Sequence, residues 1–504
     1  MVQPPFGSIY SAFLASVERH PHKPAFELGD GATVTYADLL VDAQRIAHLL
    51  TQAGVTSGDR VACQVKKSVR AVAAYIAVLQ IGGIYLPLNP AYTGAELQYF
   101  LDDAEPAAVV VDPVDAAAVR DMTPDAAIFT LDAQGMGTLA ASETKRTEVA
   151  AVTDDDPAAI LYTSGTTGRS KGAVLTHGNL ASNCHALLEA WEYTDQDRLI
   201  HALPIFHIHG LFVAINMSLA AGATMLWMEG FDVDGIVDRF DTATVLMGVP
   251  TFYTRLLASE RLSRTAVANM RLFISGSAPL RTADFKAFEE RTGHQILERY
   301  GMTETGMNTT NPYRGERRPG SVGQPLPGVE VLVVDPQTAE PLPAGQIGSI
   351  EVRGPNVFDR YWRNPDKTRE EQRDNGFFIT GDQGYYDADG YLHISGRSKD
   401  MIISGGYNVY PKEVEQLLDE HPQVLESAVI GVPHVDLGES VVAVLVTTNG
   451  TAPEDTELTE LLANQLARYK QPRAYRVVEQ LPRNVMGKVQ KAQLREPFAD
   501  IFAL

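Results

Sequence analysis

The chain has 504 residues, beyond the roughly 250–300 at which a single hydrophobic core stops growing, so at least two domains are expected. With 45% hydrophobic and 21% charged residues, and no apolar run near the roughly 18 residues that span a bilayer, it reads as a globular enzyme and not a membrane-inserted protein. Its formal net charge of −21 argues against nucleic acid and requires any anionic ligand to be met by cations gathered locally.

The first two dozen residues carry no basic residue ahead of their apolar part, so no secretory signal is expected. The two cysteines, Cys63 and Cys184, show no pairing pattern and are expected to be packed thiols in a reducing cytoplasm. Thr35 and Asp38 stand at capping-box spacing ahead of a helix with Leu39, Leu40, Ala43, Ile46, Ala47 and Leu50 on one face, ending at Gly54. Thr93 and Glu96 repeat the device before the apolar strand at 107–112. The Ala-rich stretch 115–142 reads as helix and loop without chemical interest.

Further apolar runs at 158–163, 244–250 and 270–276 each precede a Gly/Ser/Pro-rich turn. This alternation predicts an α/β fold, a large layered N-terminal domain with mostly parallel sheets, in which ligands sit at the carboxyl ends of strands. From about residue 314, short strands and Pro/Gly turns predict a small all-β portion. From Pro411 onward helix, two strands, a second helix over 457–470 and a strand predict a small mobile α+β lid domain. The expected division is 1–396 and 397–504, with the hinge near Lys399.

Chemistry concentrates in a few motifs. "YTSGTTGRSKG" (162–172) follows an apolar strand and offers backbone amides, hydroxyls and Lys171 to phosphate, although the Walker spacing is absent; a Gly/Ser linker is the alternative reading. "ERYGMTET" (298–305) supplies an aromatic ring to stack on a purine, a phosphate contact in Thr303, and Glu304 for Mg²⁺; a helix cap after a core strand is its alternative. Asp382 in "TGD" suits two ribose hydroxyls, although Gly-Asp pairs also mark plain turns.

Together with "GRSKDMIISGGYNVYP" and "PRNVMGKVQK", these motifs, in this order and spacing, resemble the core motifs of the adenylate-forming superfamily of acyl-CoA synthetases, luciferases and peptide-synthetase adenylation domains. The resemblance runs over nearly the whole chain. It implies that Thr163, Ser164, Gly165, Thr166, Thr167, Gly168 and Lys171 embrace the β- and γ-phosphates of ATP. It further implies that Gly276, Ser277 and Ala278, with Tyr300, line the adenine, and that Glu298, Gly301 and Met302 belong to the same nucleotide site. Asp382 and Arg397 would bind the ribose, Thr303 the α-phosphate region and Glu304 the Mg²⁺. Lys488 would stabilise the charge that develops as carboxylate attacks the α-phosphorus. Rotation about Lys399 would then exchange Lys488 for Ser404, Gly405 and Gly406, bordering a tunnel for coenzyme A.

The acid is read from Arg299. A buried, unpaired guanidinium beside a fatty or aryl acid would cost several kcal/mol, whereas a second carboxylate would pair with it bidentately. The alternative is an Arg299 paired with a structural acid such as Glu298, or turned to solvent. His207 is a weaker second candidate for the same carboxylate. The surrounding segments "IHALPIFHIHGLF", "VLMGVPTFYTRLL" and "LERYGMTETGMNT" resemble the malonyl-CoA synthetases, which implies malonate, ATP and CoA as substrates, methylmalonate as a possible alternative, and no obligate protein partner. A ligase for another small acid, a free-standing adenylation domain loading a carrier protein, and a non-catalytic nucleotide-binding module are the rival readings. Release of AMP and diphosphate separates the ligases from an NTPase.

Overall fold

The computed structural model describes residues 7–140, 147–163, 170–463, 465–484 and 487–502. Both sequence-read capping boxes form: Thr35 with Asp38 starts the helix Tyr36–Gln52, and Thr93 with Glu96 starts Gly94–Ala104. Each satisfies amides that a helix start otherwise leaves unpaired.

The large N-terminal domain contains two extended sheets. One has nine strands, in spatial order Gln324–Pro325, Gly306–Thr310, Leu297–Met302, Leu272–Ser275, Val245–Gly248, Arg198–His201, Thr224–Trp227, Pro24–Glu27 and Thr33–Thr35. Its six middle strands are parallel, and antiparallel strands close both edges. The other has seven: Arg360–Tyr361, Lys171–Thr176, Pro157–Thr163, Ile84–Pro87, Arg60–Gln64, Ala108–Val111 and Ala127–Thr130. Ile84–Pro87, Ala108–Val111, Val245–Gly248 and Leu272–Ser275, inside the two sheets, are buried along their whole length, which is why they read as continuous apolar runs without alternation. A four-stranded antiparallel sheet, Glu330–Val334, Gly348–Arg353, Phe378–Tyr386 and Leu392–Arg397, forms the expected β portion.

The small C-terminal domain carries a five-stranded sheet of Tyr407–Val409, Ile402–Ser404, Gly438–Thr447, Val424–His434 and Ala474–Val477, with the helices Pro411–Leu418 and Asp455–Ala463. Its two apolar clusters contain only residues from Ile402 onward, and the clusters of the large domain end at Leu392. Cys63 and Cys184 are free and buried, and burial raises their thiols to about 11 and about 12.

Two local readings are corrected, and one local element is added. The Ala-rich stretch also contributes an edge strand, Ala127–Thr130. The helix expected from residue 457 through 470 stops at Ala463, and Arg468–Lys470 form a separate 3₁₀ turn. His209–Ile215 wind as a π-helix, buried throughout, where Gly210 packs so closely that a Cβ would stand 2.0 Å from the Pro204 carbonyl oxygen.

Candidate active site

The proposed phosphate loop joins the antiparallel strands Pro157–Thr163 and Lys171–Thr176, with Thr163 paired to Lys171 at its base. The strands on either side of it are therefore antiparallel neighbours, unlike the strand and helix that flank a Walker loop. Ser164, Gly165, Thr166, Thr167 and Gly168 lie outside the described residues. The base of the hairpin is tied to the rest of the cleft on both sides. Thr163 Oγ1 lies 3.3 Å from Glu304 Oε1, and Lys171 Nζ lies 3.1 Å from Glu371 Oε1 and 4.2 Å from the centre of the Tyr361 ring.

"ERYGMTET" forms the strand Leu297–Met302 and the turn into Gly306–Thr310. At Gly301 a Cβ would stand 2.1 Å from the Gly306 carbonyl oxygen, so only glycine allows this approach. Glu304 is buried at the turn; burial raises its carboxyl, and Tyr361 Oη stands 3.1 Å from its Oε1. Thr303 and Met302 are half-buried beside it.

Glu298 and Arg299 do not pair. Glu298 Oε1 and Oε2 accept from the backbone amides of Gly320 at 3.3 Å and Leu280 at 3.4 Å. Burial raises its carboxyl to about 7, and Lys412 of the small domain acts on it in the opposite sense. These contacts spend Glu298 on the protein's own backbone and set it toward the small domain. Arg299 is 4% exposed, and its Nε and Nη2 have no hydrogen-bond partner among the described residues. Burial lowers its guanidinium to about 9. The backbone of Gly276 lies against it: a Cβ there would stand 2.4 Å from Arg299 Cζ. Gly276 thus seats Arg299, a role beyond the adenine contact expected for it. The next residue, Ser277, holds a left-handed backbone (φ 71°), and Ala278 is half-buried after it.

Two histidines approach Arg299. His207 Nδ1 accepts from the His209 amide at 3.3 Å, which in the neutral ring leaves the proton on Nε2. Burial, then Lys488 and Arg299, push its pKa down to about 3, so it is neutral across the physiological range. His209 is fully buried; its Nδ1 lies 3.4 Å from Ser277 Oγ, and Nε2 is unpaired among the described residues. The sequence sets His209 beside His207 in "PIFHIHG", near the expected acyl pocket, without giving it a role of its own.

The carboxylate of Asp382 is fully engaged. Tyr300 Oη donates to Oδ2 at 2.5 Å, and Arg397 Nε pairs with Oδ1 at 2.7 Å. Lys399 follows in the 3₁₀ turn Ser398–Asp400, and Asp400 is held by Arg495 of the small domain at 2.9 Å. The segment thus has a large-domain anchor at Arg397 and a small-domain anchor at Asp400. Lys488 reaches into the cleft. The residue is exposed overall, but its ammonium is set among protein groups: desolvation lowers it first, then Arg397; Asp382 and Glu304 act to raise it and Arg299 to lower it. Gly487 beside it faces Thr251, with a Cβ position 3.5 Å from Cγ2. Ser404 is buried, while Gly405 (φ 59°) and Gly406 (φ 82°) form an exposed hairpin turn in the small domain. The structure thus gathers Arg299, His207, Glu304, Asp382, Arg397 and Lys488 in one cleft and leaves Gly405 and Gly406 at the surface, with Ser404 buried beside them.

Residues 13–362 match the family model described as AMP-binding enzyme, and residues 413–488 that of the AMP-binding enzyme C-terminal domain. A malonate–CoA ligase of Arabidopsis thaliana is 35% identical, covering 93% of this chain and 85% of its own length. A feruloyl-CoA synthase of Amycolatopsis sp is also 35% identical, covering 95% of this chain and 96% of its own, so overall identity among such relatives does not choose the acid. ATP-bound MatB from Rhodopseudomonas palustris superposes with a TM-score of 0.96 at 51% identity, covering 99% of this chain and 100% of that one. The apo form of that protein, at the same identity, gives 0.87.

Proposed function

The chain belongs to the AMP-binding enzyme family, and from that premise we propose that it is an ATP-dependent malonate–CoA ligase. The reaction is malonate + ATP + CoA → malonyl-CoA + AMP + diphosphate, through malonyl-AMP. The observation that carries this reading is Arg299: buried, without a carboxylate of its own among the described residues, and seated against a glycine. A diacid supplies the missing anion, and a monocarboxylate leaves the guanidinium stranded. Likeness to MatB at 51% identity and to malonate–CoA ligases supports the same acid.

In the first step, Lys171 and the loop before it hold the β- and γ-phosphates, Thr303 the α-phosphate region, and Asp382 and Arg397 the ribose. Arg299 fixes the distal carboxylate so that the proximal one faces the α-phosphorus, and neutral His207 lines the pocket without adding a competing charge. Lys488 stands where negative charge builds in the transition state, and no protein nucleophile is needed. Glu304 suits Mg²⁺: it is a single buried carboxylate beside Thr163 Oγ1, and this ion usually takes one or two carboxylates plus phosphate oxygens. Bound there, the ion would neutralise charge on the phosphates.

For the second step, rotation about Lys399 withdraws Lys488 and brings Ser404–Gly406 to the cleft as the border of the CoA tunnel. The test is diphosphate release with ATP, Mg²⁺ and CoA across malonate, methylmalonate, succinate, acetate, hexanoate and benzoate, with the thioester confirmed by mass. Activity on malonate and its methyl derivative supports the reading. A preference for a monocarboxylate overturns it.

A further inference from the structure

The contacts beneath the phosphate hairpin close into a ring. Thr163 touches Glu304; Glu304 touches the Tyr361 hydroxyl; Tyr361 donates to Glu371 Oε2 at 2.6 Å; Glu371 pairs with Lys171; and Lys171 pairs through its backbone with Thr163. Tyr361 is 1% exposed, and its strand, Arg360–Tyr361, pairs with the strand that begins at Lys171, so its ring is fixed under the Lys171 ammonium. A second cation meets the same carboxylate oxygen: Lys367 Nζ lies 3.0 Å from Glu371 Oε1. Neither Tyr361, Lys367 nor Glu371 belongs to a motif singled out from the sequence.

We propose that Glu371 is a positioning residue, an internal stand-in for phosphate that holds Lys171 in place and yields it to the nucleotide and to diphosphate. The inference rests on the reading of Lys171 as a phosphate ligand. Two cations on one carboxylate give the exchange its physical basis. Taking one partner from a largely buried ion pair is normally costly because the remaining charge is left alone. Here Glu371 keeps Lys367 and the Tyr361 hydroxyl when Lys171 turns to the ligand, so the exchange leaves no stranded charge. The same arrangement returns Lys171 to Glu371 when diphosphate leaves, which weakens the enzyme's hold on its product.

The consequence is a competition with a definite sign. Glu371→Gln preserves the size of the side chain and the Tyr361 contact but removes the anion that competes for Lys171. Diphosphate then binds more tightly, by about two- to fivefold for a partly exposed pair, and kcat falls as product leaves more slowly. Lys367→Met acts in the opposite direction: Glu371, deprived of its second cation, grips Lys171 harder, and diphosphate binds more weakly. Binding of inorganic diphosphate with Mg²⁺ is measured by calorimetry on the intact protein, so the result does not depend on which acid is activated. Wild type, E371Q, K367M and the K171M and K171M/E371Q proteins are compared. Tightening in E371Q that disappears in the Lys171→Met background, with the opposite shift in K367M, supports the proposal. Unchanged diphosphate binding in E371Q, or the same change with and without Lys171, overturns it. A purely structural Glu371 would lower stability and activity without producing opposite shifts in the two variants.

Discussion

Arg299→Met separates stability from function within one side chain. Burial lowers the guanidinium far below its ordinary value, to about 9, and at about 1.4 kcal/mol per pH unit this amounts to roughly 5 kcal/mol against the charged, folded protein. The sign is fixed by linkage. A base with a depressed folded pKa is penalised at every pH below about 9, and the penalty fades as pH rises from there toward the ordinary value. At neutral pH it is fully present. Methionine is of similar length, carries no charge and suits an apolar gap, so the variant is expected to be more stable than wild type by up to a few kcal/mol. Its loss is in substrate use. A bidentate grip of two charge-assisted hydrogen bonds, at about 1.5–3 kcal/mol each, corresponds to a fall of about 10²–10⁴ in kcat/KM for malonate, with acetate little affected. Denaturation at neutral pH followed by tryptophan fluorescence gives the first number, and diphosphate release with each acid gives the second. A less stable variant, or equal loss for both acids, would refute the reasoning that Arg299 is held unpaired for a substrate carboxylate.

Lys488→Ala is expected to abolish adenylate formation while sparing thioester formation from pre-made malonyl-AMP; equal loss of both half-reactions, followed separately by mass, would contradict the two-position lid. Gly276→Ala places a methyl 2.4 Å from Arg299 Cζ, so KM for malonate is expected to rise at least about tenfold with KM for ATP nearly unchanged, and the reverse pattern would assign Gly276 to the adenine instead. Glu298→Gln tests the raised carboxyl beside Lys412. Its folded pKa of about 7 means that the folded state binds more protons than the unfolded, so this group costs stability as pH climbs from about 4.5 to 7, by at most about 3 kcal/mol at pH 8. The glutamine variant should therefore melt with a flatter pH dependence and gain most at alkaline pH.

Local chemistry was legible where it acts over a few residues. The Thr35 and Thr93 capping boxes, Pro411 at a helix start, and the strands ending at Ser275 and Thr163 all follow from spacing alone. Arg299 was legible because a charge next to a buried aromatic position must answer for its desolvation. The contacts of Glu371 were not, since Lys171 lies 200 residues away and nothing in the local pattern distinguishes Glu371 from the solvated Glu370 beside it. The π-helix at His209–Ile215 was equally hidden: an apolar run containing one glycine does not declare whether it winds four or five residues per hydrogen bond. The spending of Glu298 on two backbone amides depends on turns at Leu280 and Gly320 that the sequence does not bring together.

No apolar cluster crosses between the two domains among the described residues: one set ends at Leu392 and the next begins at Ile402. Turning the small domain therefore opens no core, and the large energies that hold each domain folded are the same before and after. What would weigh one orientation against another is the set of contacts at the seam, Lys488 among Arg397, Asp382 and Glu304 included, which a bound ligand would alter. A lid turning as proposed would need no stored strain and no spring, because the nucleotide, the adenylate and the thiol could each tip the balance by being present.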